Sequence, residues 1–246
     1  MLVMLVVSVL LLTSGCSTLP KVGQETAPPL RTYEQVVKSE TPPVLDVSDS
    51  LEGFNRGAYR FNYYFDEYFF LPVVRSYEFI LPDYVEERVS SAIDNINEFG
   101  NLTNNLFQLK FKAAGITLSR VVINSTVGIA GLWDPAGAWG LERRAEDFGQ
   151  TLGHYGVGNG SYLVLPILGP SNVRDTTGLI ADTAAFTFAG PSAWVDSTAA
   201  SAAYSATVAV DKRHRIPFRY RQSGSPFEYE LLRMLYTMKR DIDINR

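Results

Sequence analysis

The sequence has one cysteine, Cys16, and two histidines, His154 and His214, in 246 residues. A lone cysteine excludes an intramolecular disulfide. The histidines belong to no His/Cys/Asp cluster at metal-ligand spacing, so no metal site is read. Beyond Cys16 there is no uninterrupted apolar run of about 20 residues, the length a membrane-crossing helix needs. Positive charge is not in excess either. Twenty-two Lys and Arg stand against 26 Asp and Glu, and the net charge of −4 lies wholly beyond residue 16. That balance argues against a nucleic-acid partner. Catalytic patterns are also missing. Gly158-Asn159-Gly160-Ser161-Tyr162 places its serine out of register with G-x-S-x-G. Gly156, Gly158 and Gly160 lack the preceding strand, spacing and lysine of a phosphate loop. His154 has no identifiable partner for general-base work and is expected to be a hydrogen-bonded structural residue. No enzyme and no cofactor are read from this chain.

What is present begins at the N-terminus. Met1 to Leu12 is uncharged and largely apolar, and Leu12-Thr13-Ser14-Gly15-Cys16 follows it. The run is too short to span a bilayer but suits the apolar region of a signal peptide. The pentapeptide reads as a lipobox ending at the cysteine to be acylated. Thr13 departs from the usual branched apolar residue, and no basic residue precedes the run. A buried cysteine behind an ordinary signal peptide is the competing reading. Acylation contributes about 0.8 kcal/mol per buried methylene, and more than one chain anchors stably. Ser17, rather than aspartate, resembles the sorting signal of outer-membrane lipoproteins.

Four regions are expected: a lipoprotein signal peptide at 1–15, a lipidated tether at 16–48, a helical domain at 49–222 and a C-terminal amphipathic helix at 223–246. The tether is rich in Pro, Thr, Ser and Val, with Pro28-Pro29 and Pro42-Pro43. Asp49 and Glu52 form a capping-box-like start. Nine aromatics fall between Phe54 and Phe70, among them Phe61, Tyr64, Phe65 and Phe69. They break strict alternation, so a helix with aromatics on several faces is expected. Such a helix fits a membrane–water boundary or the inside of a large core. Pro72 and Pro82 are expected to break the chain; helical spacing is read over 83–109, with a joint at Gly100, and continues over 110–126. Val127 to Ala136 is a short apolar turn with Gly128 and Gly131, either packed inside or dipped into lipid. Two low-charge helices joined at Gly190-Pro191 are read over 176–210. Lys212, Arg213, Arg215, Arg219 and Arg221 form either a solvated surface or a contact for anionic headgroups or an acidic partner.

Several of these segments resemble one family. Asp49-Ser50-Leu51-Glu52-Gly53-Phe54-Asn55-Arg56 resembles the D-P-L-E-G-F-N-R opening of the MlaA/VacJ lipoproteins, with Ser50 in place of proline. Asn124, Gly128, Gly131, Asp134 and Ala136 match the family's N-x-x-x-G-x-x-G-x-x-D-x-A turn. Glu146 to Gly158 is similar to its D-F-G-x-T-L-G-x-x-G-V-G block, and Leu165-Pro166 and Arg174-Asp175 follow in order. The resemblance covers about residues 46 to 220 and is weak after Phe218. It implies a mainly all-α ring, a helical disc embedded in the inner leaflet of the Gram-negative outer membrane without a membrane-crossing helix. It further implies a central amphipathic channel that takes phospholipids from the outer leaflet to an MlaC-like periplasmic carrier, beside a trimeric porin. On this reading the turn is the channel gate. Gly128 and Gly131 are its hinges, and Ile129, Leu132 and Trp133 its lipid-contacting surface. Valine at either glycine is then expected to alter lipid flow more than folding. The glycine-rich block 147–158 is expected to be a structural turn. A scaffold lipoprotein that only holds a porin is the alternative, and a lipid hydrolase is disfavoured by the missing triad.

Overall fold

The computed structural model describes residues 47–194, 197–222 and 224–246. Cys16, the signal region and the tether up to residue 46 lie outside the described residues. The fold is mainly helical, with one two-stranded hairpin. Among the described residues no helix is long and apolar enough to cross a membrane.

Helix α1 spans Glu52–Phe65. Its N-cap is Leu51, and no side chain caps it. The expected Asp49 cap is therefore absent, because Asp49 is engaged elsewhere. It accepts from Asn55 Nδ2 at 2.7 Å, the Tyr229 hydroxyl at 2.5 Å and Arg233 Nη1 at 3.1 Å. A π-helical turn, Asp66–Phe70, follows, and then α2, Leu71–Ile80. Pro72 does not break the helix as expected. It has no N–H to donate, and just before it the ladder slips to the wider register. There Leu71 N–H reaches Asp66 C=O, and the helix resumes beyond.

Helix α3, Asp83–Phe107, runs 25 residues without a joint at Gly100. Pro82 fills its N-cap, where a missing N–H costs nothing. Nothing lies within 4 Å of a Cβ placed at Gly100, so this glycine serves neither a bend nor a close contact. Helix α4, Phe111–Thr126, packs back along α3. A single-turn helix α5, Pro135–Ala138, precedes α6, Phe148–His154. Strands β1, Tyr162–Leu165, and β2, Gly169–Asn172, pair antiparallel with Tyr162 opposite Asn172. Helix α7, Val173–Phe188, and helix α8, Thr198–His214, flank a 3-10 turn at Pro191–Trp194, as the low-charge pattern implies. Helix α9, Glu228–Ile244, packs on α6 and β2.

The edge of β1 is closed by side chains. Asn55 donates to Tyr162 C=O at 3.0 Å and accepts from Val164 N–H at 2.8 Å. Two turns further along α1, Asn62 donates to Leu165 C=O at 2.9 Å and accepts from Ile167 N–H at 2.7 Å. These two amides on one face of α1 thus satisfy a strand edge that would otherwise be a pairing hazard.

Candidate functional site

The distribution of polarity is the first clue. Among the described residues, ten buried side chains are hydrophobic and 22 are polar or charged. Four of the ten, Ala58, Tyr162, Val164 and Tyr229, form a small cluster. The buried face of α1 is Asn55, Ala58 and Asn62, continued by Asp66, while Phe54, Phe61 and Tyr64 are exposed. Helix α9 repeats this, with Glu228, Tyr229 and Arg240 inside and Leu231, Leu235, Met238 and Ile242 outside. Scattered exposed apolar residues are ordinary in a water-soluble protein, but buried charges in this number are not. Polar groups inside and apolar side chains outside suit a protein solvated by lipid.

The aromatic segment is laid out along this exterior. Phe61, Tyr64, Tyr68 and Phe69 are exposed, and Phe65 is half-buried. The rings form ladders along the helix: Phe61 stacks on Phe65 at 5.9 Å, Tyr64 on Tyr68 at 6.2 Å, and Phe65 meets Phe69 at 5.0 Å. Of the two sequence readings, burial in a large core does not hold for this set. Phe79, 91% exposed, and Ile80 extend the apolar surface along α2.

The apolar turn after α4 is rigidly held. Arg120 donates to Glu98 Oε1 at 2.8 Å, to Asp134 Oδ2 at 3.1 Å and to Leu141 C=O at 2.5 Å. Asn124 bridges the turn. Its amide donates to Asp134 Oδ1 at 2.8 Å and its oxygen accepts from Ala136 N–H at 3.1 Å. Asp134 also caps α5 through Gly137 N–H at 2.9 Å. Burial alone would raise the Asp134 carboxyl. The Gly137 N–H, Asn124 and Arg120 outweigh it and hold the group below the usual carboxylate range. Ile129, Ala130 and Gly131 all have positive φ, at 49°, 56° and 86°. The Asn124–Ala136 signature is thus one locked turn. It presents Ile129, 60% exposed, beside the less exposed Leu132 and Trp133.

This packing changes what substitution at the glycines tests. A Cβ on Gly128 would sit 2.5 Å from Asn124 C=O and would also strike Trp133 C=O. On Gly131 it would meet Asn95 at 2.6 Å with φ already +86°. Gly128→Val is therefore expected to destabilise the protein by about 1–3 kcal/mol, measured by denaturant unfolding in detergent. Unchanged stability would mean that the turn is not close-packed.

The block 147–158 is part of the scaffold. Asp147 caps α6 through Gln150 N–H at 2.8 Å. A Cβ on Gly178 would lie 2.7 Å from Gly149 Cα, so these glycines let α6 and α7 touch. Arg240 from α9 ties both helices. It donates to Asp147 at 2.7 and 2.8 Å and to Asp175 at 2.8 and 3.0 Å. Nearby Asp182 accepts from Phe148 N–H and Asn104, but burial leaves its carboxyl above the usual range. His154 is exposed at the end of α6 with its ring edge-on to Tyr155 at 5.3 Å. No hydrogen bond is found for it among the described residues, which corrects the expectation of a bonded structural histidine. No group of three or more His, Cys, Asp or Glu suited to a metal occurs among the described residues.

The basic cluster 212–221 divides: Lys212, Arg215 and Arg221 are exposed, Arg219 is half-buried and Arg213 is buried. Arg213 is buried and forks onto Asp66, at 2.6 and 2.8 Å, inside the π-helical turn. Arg215 bonds Asp94 at 3.0 Å and also Asp211. Arg219 turns back onto backbone carbonyls. Sequence reasoning missed the pairs with Asp94 and Asp66 because these partners are 121 and 147 residues away.

The sequence model of the MlaA lipoprotein family matches residues 47–243, most of the chain and nearly all that the structure describes. The chain belongs to the MlaA lipoprotein family. The match runs beyond Phe218 to take in α9, consistent with Arg240 being integral to the fold. An uncharacterized protein of Rickettsia bellii is 42% identical over 132 residues, covering 54% of this chain and 52% of the relative. "Intermembrane phospholipid transport system lipoprotein MlaA" of Haemophilus influenzae is 34% identical over 150 residues, covering 59% and 60%. The protein of that name in Escherichia coli is 36% identical over 139 residues, covering 55% of each. The chain thus spans about half the length of the curated relatives it matches. A solved structure reported as "Structural basis for maintenance of bacterial outer membrane lipid asymmetry" is 29% identical. It superposes with a TM-score of 0.67, covering 80% of this chain and 99% of that one. The MlaA fold is therefore shared across nearly the whole of that structure.

Proposed function

We propose that this MlaA-family chain is an outer-membrane lipoprotein that withdraws phospholipid from the outer leaflet and passes it to a periplasmic carrier of the MlaC kind. It would be anchored through acylated Cys16 and embedded from the periplasmic side as a helical ring, with a porin as neighbour. The observation that carries this reading is the inverted polarity: charged and amide side chains inside, stacked aromatics outside, and no helix among the described residues able to cross. A lipid-embedded disc with a polar interior needs that arrangement. Moving an amphiphile through it needs an apolar wall beside a polar path rather than a nucleophile. The names borne by the relatives and the subject of the neighbouring structure point the same way.

In this reading the locked turn is the lip of the path. Gly128 and Gly131 fix its shape, and Ile129, Leu132 and Trp133 touch the moving lipid. Ile129→Asn tests this directly. Asparagine tolerates the left-handed backbone better than a β-branched residue does, and the site is exposed, so stability should stay within about 0.5 kcal/mol. Phospholipid on the cell surface should nevertheless rise several-fold in cells relying on the variant, read by outer-leaflet labelling at matched protein level. Normal labelling would remove the turn from the lipid path.

A further inference from the structure

The geometry points to a binding site for the phosphodiester of a phospholipid headgroup between α1 and the segment leading into α9; this rests on the lipid-embedded reading above. A surface cavity of about 250 Å³ lies there, lined chiefly by Arg56, Tyr59, Arg60, Arg221, Glu228 and Tyr229. It is open to the surface and has room for a polar group of headgroup size.

The three guanidinium groups are not equivalent. Arg56 is committed. It bonds Glu52 at 2.7 Å and Glu230 at 2.5 Å and lies 4.4 Å over the Tyr229 ring. Arg60 and Arg221 take part in no salt bridge among the described residues. Arg221 is held in an uncommon backbone conformation, φ 61°, with its N–H donated to Glu228 Oε1 at 2.7 Å. Its guanidinium rests 4.1 Å from the centroid of Tyr63. A non-glycine residue in this region costs about 1–2 kcal/mol, and Arg221 in this conformation lines the cavity that Arg60 also lines. Two planar forks at one cavity match the oxygens of a phosphate better than those of a single carboxylate.

The position along α1 selects a lipid as the source. Arg56, Arg60, Tyr64 and Tyr68 follow one another at four-residue spacing and so share a helix face. The first two line the cavity, and the last two are exposed and stacked on each other. Passing from arginine to exposed tyrosine along one face is the sequence of environments met on going from the headgroup layer into the lipid boundary. A free phosphate would have no use for the aromatic half.

The test uses the full chain purified in nonionic detergent, titrated calorimetrically with dihexanoyl-phosphatidylglycerol and, separately, with inorganic phosphate. Wild type should bind the lipid, and Arg60→Gln with Arg221→Gln should weaken it at least tenfold. Arg60→Lys should fall between, because lysine keeps the charge but not the fork. Should Arg221→Gln lower the melting temperature, Arg60→Gln alone, at an exposed position, carries the comparison. Wild-type affinity in the double variant, or inorganic phosphate binding as tightly as the lipid, overturns the inference. Cells separate this failure from that of the transport reading. If the double variant restores low surface phospholipid as well as wild type and binds lipid unchanged, the site is wrong and transport stands. If wild type neither binds lipid nor lowers surface phospholipid, the transport reading itself fails.

Discussion

Arg240→Leu is expected to destabilise the protein by about 3 kcal/mol, the low end for breaking a buried ion pair by removing one partner, because the Asp147 side chain is partly exposed and Asp175 keeps Arg174. The buried guanidinium makes four bonds, two to Asp147 and two to Asp175. Its loss falls unequally on the two carboxylates. Asp175 would keep Arg174 at 2.9 Å and the Tyr236 hydroxyl at 2.8 Å, whereas Asp147 would lose its only cation among the described residues. Arg240→Lys should lie between, since an ammonium cannot fork onto both carboxylates. A pH signature accompanies the loss. Burial alone would raise the Asp147 carboxyl, but the hydrogen bonds and charge of Arg240 hold it below its ordinary value. A carboxyl depressed in the folded state adds stability that is complete above the unfolded value near 3.9 and is lost as the pH falls through the folded one. Denaturant unfolding between about pH 6 and pH 3 should show the wild type losing this contribution and Arg240→Leu showing a flatter acid limb. An identical acid limb in both proteins would mean that Asp147 is not stabilised by Arg240.

Arg120→Leu is the second large effect, expected to cost about 3 kcal/mol and to release the turn 127–133. Glu98 is fully buried and would lose its 2.8 Å partner. Among the described residues it would retain Asn101 at 2.8 Å and Arg143 at 3.6 Å, which places the cost near the low end for a broken buried pair. Asp134 and Leu141 C=O would lose their Arg120 bonds at the same time. Hydrogen exchange should therefore accelerate at the Gly131 and Trp133 amides, bonded at 2.8 and 3.0 Å across the turn, before the rest of α4. Uniform acceleration along the chain would mean that Arg120 supports the whole fold and not this turn.

How much of the fold was legible in the sequence differs between its helices and its interior. The long helices could be read from periodicity, and the low-charge pair around Gly190-Pro191 from composition. The inside was harder to read. On α1 and the turn after it the buried face is Asn55, Ala58, Asn62 and Asp66, and on α9 it includes Arg240. A rule that turns the apolar stripe inward assigns both faces backwards here, since Phe61 and Tyr64 on α1 and Leu235 and Ile242 on α9 are exposed. Pro72 and Gly100 misled because local propensity gives way to a π-helical turn in one case and to packing against α4 in the other. The Asn124–Ala136 signature could be read as a turn, but its rigidity could not, since that depends on Arg120 pairing with Glu98 in the neighbouring helix α3. The arginines over 212–221 carried the opposite difficulty: their local density suggests a surface, and only the fold brings Asp66 and Asp94 to them.

Whether this chain keeps phospholipid out of the outer leaflet is tested most directly by outer-leaflet phospholipid labelling in cells lacking the protein, with wild type or Cys16→Ala restored. Labelling should rise on deletion, return to baseline with wild type, and stay high with Cys16→Ala. Labelling that is unchanged by the deletion would contradict the transport role and leave a helical lipoprotein whose role is to hold a partner in place.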